Sequence, residues 1–327
     1  MPQPVLSDLH YNAMLQDVSV MELQDPQNYI ADIVFPILPV DHRRGKYYLY
    51  NEAYFKMAGA RKRKPGTESV AIGWGTERAD YALDEWAVHV LIPDEDREEA
   101  DSVFDLDADT TIQLTETMRV SKETEFISHV MGTGIWGTTL TGEVHGGGGG
   151  ATYFDWWTDT DNSTPIQDIR KARNTIASAT GRKPNKLILA PKVFDALVEH
   201  PDIVRKFIYK DNTDIILNEL NLATVFSVDQ VLVPYAMANT AAEGQTFAPD
   251  YLYGNDALLL YTAPGPGKRV ATGGYNITLR QQAGQPVTVR KMREQEQRAD
   301  WLEVAASWQF KIVSPPMGVF FSGAVET

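Results

Sequence analysis

The stretch TPIQDIRKARNTIASATGRKPNKLILAPKVFDALVE, residues 164–199, predicts a helix, a short strand and a second helix in direct succession. Thr164 and Pro165 stand at the positions expected for a helix cap and a first helical turn. The apolar side of this first helix recurs at helical spacing through Ile166, Ile169, Ala172 (or Arg173) and Ile176. Gly181 ends the helix, LILA at residues 187–190 reads as a buried strand, and residues 192–199 form the second helix.

The segments on both sides of this stretch add one long helix and further strands. Residues 107–131 contain no Gly or Pro over 25 positions and carry apolar residues at a spacing of three or four. They predict an amphipathic helix of roughly 37 Å. Toward the C-terminus, PVTVRKM and WLEVAASWQFKIV alternate and predict an antiparallel pair of strands across REQEQRAD. The fold class is therefore mixed α+β.

The N-terminal part predicts an arm followed by a long hairpin. The first forty residues end in IADIVFPILPV, where Pro36 and Pro39 disfavour both a helix and an interior strand and favour an extended arm. Residues 46–57 and 81–92 read as two strands. Between them, AGARKRKPGTES is rich in turn residues. Its tetrad Arg61, Lys62, Arg63 and Lys64, here called the basic tip, lies at the end of the hairpin.

Two glycine motifs are interpreted as structural. GTGIWG at residues 132–137 has the G-x-G-x-x-G spacing, but it follows a predicted helix, whereas a dinucleotide site requires a preceding strand. HGGGGG at residues 145–150 lacks the Lys-Ser/Thr of a phosphate-binding loop. Because poly-Gly orders only at a large entropic cost, residues 132–163 are predicted to form a flexible loop.

Composition excludes several classes of function. With 327 residues the chain fits one large or two medium domains, and two is the default. It has no Cys, which excludes disulfides, thiolate metal sites and Cys nucleophiles. None of the six His is paired at metal-binding spacing, and G-x-S-x-G is absent. No segment has the roughly 20 apolar residues of a membrane helix. We therefore predict no catalytic residue, metal, cofactor or membrane contact.

Charge is distributed unevenly along the chain. The net charge is −14, yet residues 41–68 hold eight Lys/Arg against three acids, and residues 77–109 hold thirteen acids against two Arg. The second segment includes a group here called the acidic segment, namely Asp94, Glu95, Asp96, Glu98, Glu99 and Asp101. The basic tip could bind nucleic acid phosphates, but it stands alone in an acidic protein. We favour docking of the basic tip onto the acidic segment of a neighbouring copy.

The order of these elements resembles the major capsid proteins of tailed phages of the HK97 type. IPDEDREEAD before the long helix, the stretch around residues 168–203, VLVPYAMANTAAEGQ and YLYGNDALLLYTAP are similar to that family, in the same order. The resemblance implies an HK97-like fold whose parts are an N-terminal arm (1–40), an extended loop (41–92), a peripheral domain with a long spine helix (93–163 and 285–327) and an inserted axial domain (164–284).

The resemblance also implies a structural, non-enzymatic function. Such proteins assemble as hexamers and pentamers into an icosahedral shell around packaged double-stranded DNA, which they do not bind sequence-specifically. Expected partners are other copies, a portal protein, a separate scaffolding protein and a decoration protein, and the expected location is the virion, with assembly in the host cytoplasm. No covalent crosslink is supported by a motif. The alternatives are an encapsulin-type compartment, a carboxylate-based hydrolase acting across the Trp-rich loop, and a nucleic-acid-binding module using the basic tip.

Overall fold

The computed structural model describes residues 28–49, 60, 62–69, 77–99, 106–147, 150–208, 218–239, 249–267, 270–280 and 287–326. Within these ranges the α-helices are α1 (Ala31–Val34), α2 (Asp94–Glu99), α3 (Leu106–Val130), α4 (Pro165–Thr180), α5 (Pro191–Glu199), α6 (Pro201–Ile208) and α7 (Glu219–Phe226). The strands are β1 (Ile37–Val40), β2 (Arg44–Leu49), β3 (Glu77–Ala82), β4 (Asp84–Pro93), β5 (Thr138–Glu143), β6 (Tyr153–Asp155), β7 (Lys186–Leu189), β8 (Gln230–Leu232), β9 (Met237–Asn239), β10 (Pro249–Tyr251), β11 (Ala257–Leu260), β12 (Gly274–Leu279), β13 (Thr288–Glu294), β14 (Ala299–Ile312) and β15 (Gly318–Ser322). This mixture confirms the α+β class.

The described strands form two larger sheets and two ribbons. The five-stranded sheet has the order β1-β12-β14-β13. The strand β4 pairs with the edge of β14 that faces away from β13. The predicted antiparallel pairing of the two C-terminal strands is confirmed, with Val289 opposite Val304. The six-stranded sheet has the order β6-β5-β15-β11-β7-β8, and β2–β3 and β9–β10 form the ribbons. One apolar cluster contains Phe310 of the first sheet, Phe126 of α3 and Leu258 of the second, so the two sheets share a core.

The segment preceding the hairpin is partly helical, and the expectation that it contains no helix is wrong. The short helix α1 forms because the side chains of Glu123 and Lys186, from distant elements, bind its two backbone ends. Val34 and Phe35 are fully buried, and the Phe35 ring lies edge-on to Phe126 with 5.7 Å between centroids. The expectation that it forms no interior strand agrees with the structure, because β1 is an edge strand, a position that tolerates Pro39.

The predicted strand over residues 81–92 is interrupted at Leu83, so the prediction of one continuous hairpin strand is wrong. Up to Ala82 the chain pairs with β2, with Tyr81 opposite Gly45. The Leu83 N–H then donates to the Arg43 carbonyl oxygen at 2.7 Å, and its side chain is buried. From Asp84 onward the chain pairs with β14 in the five-stranded sheet. Of the other predicted strand, residues 50–57 lie outside the described part of the chain.

The long helix predicted over residues 107–131 is α3, displaced by one residue at each end. Its buried positions include Leu114, Met118, Phe126 and Val130, which matches the predicted apolar side. Phe126 packs edge-on against Phe310 of β14 with 5.2 Å between ring centroids. The helix therefore covers the inner face of the five-stranded sheet.

The interpretation of residues 132–163 as a flexible loop is wrong for most of that segment. It contains β5 and β6, which extend the six-stranded sheet. Trp157 is fully buried and lies 5.3 Å from Phe321, and Trp136 donates from Nε1 to the Val130 carbonyl oxygen at 2.8 Å. Burial of these large aromatic rings outweighs the entropic cost of the neighbouring glycines. Gly148 and Gly149 lie outside the described residues.

The helix–strand–helix prediction for residues 164–199 is confirmed as α4, β7 and α5. Gly181 ends α4 in the left-handed conformation, with φ of 70°, and its N–H donates to the Ala177 carbonyl oxygen at 2.8 Å. Thr164 stands at the N-cap position, but its side chain forms no capping hydrogen bond. The strand β15 lies between β5 and β11, so residues near the C-terminus form an interior strand of the six-stranded sheet.

Candidate assembly surfaces

The described part of the basic tip is exposed. Lys62, Arg63 and Lys64 precede a turn in which Thr67 donates from its backbone N–H and from its hydroxyl to the Lys64 carbonyl oxygen. Among the described residues none forms an ion pair with these three side chains, and Arg61 lies outside that set. The tip thus presents concentrated positive charge to solvent.

Asp94, the first residue of the acidic segment, is already paired within the chain. Both of its carboxylate oxygens accept hydrogen bonds from the Arg293 guanidinium, at 2.6 and 2.5 Å. Arg293 also donates to Asp300 at 3.2 Å. These bonds hold the pKa of Asp94 below its usual value, chiefly through the hydrogen bond from Arg293. Asp94 therefore holds the start of α2 to the β13–β14 hairpin.

The same cluster continues to the start of α3. Arg97 contacts Asp300 at 2.8 Å and Asp107 at 2.5 Å, and Lys291 contacts the same two carboxylates at 3.3 and 2.6 Å. The pKa of Asp300 is lowered, first by its hydrogen bond from Arg293 and then by that from Lys291. Three cations and three carboxylates thus connect α2, α3 and the hairpin, in what we call the aspartate network: Asp94, Arg97, Asp107, Lys291, Arg293 and Asp300.

The remaining acids of the acidic segment divide by exposure. Glu95 and Glu98 are exposed and Asp96 is half-buried, and no ion pair joins these three to another described residue. The side chain of Glu99 and all of Asp101 lie outside the described residues. The surface available to a basic partner is accordingly centred on Glu95, Asp96 and Glu98.

Sequence reasoning missed the cations of the aspartate network. Two of them, Lys291 and Arg293, lie near Arg290 on β13, within an otherwise acidic chain. That local excess of positive charge is a signal for an acidic partner within the fold. It does not reveal which of the thirteen acids between residues 77 and 109 the cations contact.

A polar pocket of about 180 Å³ bears on the hydrolase alternative. Its lining includes three carboxylates, Glu143, Asp155 and Asp168, together with Lys171. Burial raises the pKa of Asp168, and His145 lies 3.1 Å from Asp155. Tyr153 and Phe154 also line the pocket, whereas the tryptophans of this region do not.

The described residues contain no candidate metal site and no helix suited to span a membrane. No cluster of three or more His, Asp or Glu suited to a metal ion occurs in the part of the chain that the structure describes. Likewise, none of the described helices combines the length and apolar character needed to cross a bilayer. His89 is exposed and stacks on Trp301 with 3.8 Å between ring centroids.

The chain is similar to phage proteins in both sequence and structure. Residues 152–307 match the family model described as phage major capsid protein E. No curated protein matches the chain. A phage-related protein from Bordetella bronchiseptica has a TM-score of 0.70 at 20% identity, over 93% of this chain and 94% of that one.

Two further solved structures show the same fold at lower identity. The capsid of the cyanophage P-SCSP1u has a TM-score of 0.55 at 9% identity, over 90% of this chain and 87% of that one. The encapsulin complex of Synechococcus elongatus has a TM-score of 0.51 at 10% identity, over 94% and 90% of the two chains. The architecture of this chain is thus the HK97-like capsid fold.

Proposed function

We propose that this chain, which has the HK97-like fold, is a phage major capsid protein whose copies form the hexamers and pentamers of an icosahedral shell around packaged double-stranded DNA. The capsid-family match over residues 152–307, within a fold shared with capsids over nine-tenths of the chain, carries this proposal. The protein is a component of the virion capsid and acts structurally, not as an enzyme.

The proposed domain division follows the one expected from the sequence, with the arm at 1–40, the extended loop at 41–92, the peripheral domain at 93–163 and 285–327, and the axial domain at 164–284. Two strand pairings cross between the proposed peripheral and axial domains. The axial strand β11 pairs with β15 in the six-stranded sheet, and the axial strand β12 pairs with β14 in the other sheet. Shared sheets and a shared core favour movement of the two domains as one rigid unit.

The contact proposed between copies joins the basic tip of one subunit to the acidic segment of the next. Its support is the exposure of Lys62, Arg63 and Lys64 and the exposure of Glu95 and Glu98. Asp94 contributes less to this contact, because Arg293 already occupies both of its oxygens. The contact is therefore an electrostatic one, sensitive to salt.

The proposed shell also has partners other than copies of this chain. A portal protein, a separate scaffolding protein and a decoration protein are the proteins that such a shell engages, and assembly takes place in the host cytoplasm. The net charge of −14 favours an inner wall that does not adhere tightly to DNA, so packaged DNA is held without sequence-specific contacts.

An encapsulin-type compartment is the second candidate, favoured by the likeness to the Synechococcus elongatus encapsulin. The fold alone does not separate the two functions, because both kinds of shell share it. The family match over residues 152–307 favours the phage capsid.

The deciding experiment examines the full chain by negative-stain electron microscopy and by size-exclusion chromatography with light scattering. The full chain is expressed alone and, in a second preparation, together with a scaffolding protein encoded beside it. We expect closed shells, or free hexamers and pentamers. A chain that stays monomeric under both conditions would overturn the proposal, and shells that enclose a specific protein cargo would favour the encapsulin function.

A further inference from the structure

His200 lies between α5 and α6 and is 1% exposed. Its Nε2 is 3.0 Å from the Ser163 hydroxyl oxygen, and its Nδ1 accepts the backbone N–H of Asp202 at 3.2 Å. The Ser163 hydroxyl donates its proton to the Asp159 carbonyl oxygen at 2.6 Å. Because that proton is used, the Ser163 oxygen accepts from His200, and the ring carries its proton on Nε2.

In this neutral form the ring is the N-cap of α6. His200 has extended backbone angles, φ of −67° and ψ of 128°, and Asp202 is the second residue of the helix. Accepting the N–H of the second helical residue is the bond by which a capping side chain stabilises a helix start. An imidazolium carries N–H groups on both nitrogens, so protonation converts this bond into a contact between two donors.

The groups around the ring set the direction of its titration. Burial has the largest effect and lowers the pKa of His200 below the ordinary 6.5. On α6, Asp202 opposes this shift and Arg205 supports it. On the facing loop the ring meets the Ser163 hydroxyl, while the Asp159 carboxylate accepts from the N–H groups of Asp161 and Asn162.

We propose that His200 is a proton-operated catch, which when neutral fixes the start of α6 to the loop before α4 and when protonated in mild acid releases that helix. His42, His89, His129 and His145 are exposed, so none of these other described histidines shares this arrangement. The catch consists of contacts within one chain and does not depend on the proposed function.

The attachment of α6 depends on pH because the folded and unfolded chains bind the His200 proton with different affinities. Because the folded form binds the proton less readily than an exposed histidine, attachment of α6 is strongest above pH 6.5 and weakens as the pH falls below it. Because pH 5.0 lies 1.5 units below 6.5, the equilibrium constant for attachment of α6 can fall by at most about 30-fold at that pH.

The test is hydrogen exchange of the full chain at pH 7.0 and 5.0, with rates corrected for the intrinsic effect of pH. Protection of the Ile203 and Val204 amides, which both donate to the His200 carbonyl oxygen, is the readout. We expect it to fall in acid, by no more than about 30-fold, while Leu258 and Leu259 in the central strand β11 keep theirs. Unchanged protection of α6 in the unmodified chain would overturn the proposal.

Two variants separate the catch from a general effect of acid. His200→Asn keeps a capping oxygen that does not titrate, so protection of α6 should no longer depend on pH. His129→Asn removes an exposed histidine and should leave the wild-type pH profile unchanged. A His200→Asn chain that loses protection in acid as the wild type does would refute the role of the ring.

Discussion

The carboxylate of Glu123, within α3, accepts the backbone N–H of Ile30 at 3.0 Å, although 93 residues separate the two in sequence. Its second oxygen accepts the N–H of Ala31 at 3.0 Å, and the buried Tyr253 hydroxyl donates to the same oxygen as Ile30. At the other end of α1, Lys186 donates to the Val34 carbonyl oxygen at 2.8 Å. Opposite charges thus cap both ends of a four-residue helix that could not persist alone.

Replacing Glu123 by Ala should lower the free energy of unfolding by about 3–5 kcal/mol, because three buried donors each lose their acceptor. Chemical denaturation of the unassembled chain measures this loss. Glu125→Ala, on the same helix and 30% exposed, is the control, with an expected change below about 1 kcal/mol. Equal effects of the two variants would show that the buried bonds contribute little.

The close approach of Gly318 to Trp136 gives a second prediction. A Cβ at residue 318 would lie 2.2 Å from the Trp136 ring, which is held in place by its bond to the Val130 carbonyl oxygen. Gly318→Ala should therefore destabilise the protein by about 1–3 kcal/mol or more. Gly265→Ala, where a Cβ meets open space and φ is not positive, should change stability by less than about 0.5 kcal/mol. Similar midpoints for both variants in denaturant would contradict this packing argument.

The aspartate network predicts how stability depends on acid. The pKa values of Asp94 and Asp300 are lowered in the folded chain, in both cases first by hydrogen bonds from Arg293. A lowered carboxylate pKa contributes stability that is present above its ordinary value of 3.8 and is lost as the pH falls through the folded value. Arg293→Met should thus be less stable than the wild type at pH 6, and the difference should shrink toward pH 3.

Denaturation at a series of pH values between 3 and 6 measures this convergence. Lys46→Met is the matched control, because Lys46 and Asp80 form a 3.8 Å pair that is mostly exposed on both sides. Its stability should run parallel to that of the wild type. A constant difference between Arg293→Met and the wild type at every pH would show that Arg293 acts through packing instead of charge.

Elements with their own periodicity and end signals could be predicted from the sequence. The helix α4 has an apolar spacing and Gly181 at its end, and α3 has apolar residues at helical spacing with no Gly or Pro between Leu106 and Val130. The break at Leu83 could not be predicted, because an alternating pattern continues unchanged when a chain passes from one sheet to another. The burial of Trp157 was hidden by the surrounding glycines, whose local signal favours a loop.

Other features could not be predicted from the sequence because they depend on contacts between distant parts of the chain. The helix α1 depends on a carboxylate 93 residues away, and Asp94 binds an arginine 199 residues away. Charge patterning alone grouped Asp94 with Glu95, Asp96 and Glu98, because a local count of acids does not tell a paired carboxylate from a free one. The fold class and the order of elements are thus local properties, while the composition of an assembly surface is not.

The contact proposed between copies predicts a charge-dependent loss of shells. Replacing Arg61, Lys62, Arg63 and Lys64 together by Ser removes four positive charges from a tip whose described residues are exposed. We expect at least about a tenfold lower yield of shells with unchanged folding of the subunit. Electron microscopy and light scattering measure the yield, and circular dichroism monitors the fold. Shells of normal yield and normal salt resistance would contradict the contact.

A charge exchange then identifies the partner surface. Replacing Glu95, Asp96 and Glu98 by Lys should also block assembly, whereas the same change at Asp94 would disturb the fold by displacing Arg293. A chain with acidic residues at the basic tip and Lys at residues 95, 96 and 98 restores opposite charges across the contact and should recover shells. Two defective single exchanges that stay defective in combination would show that the basic tip binds another surface of its neighbour.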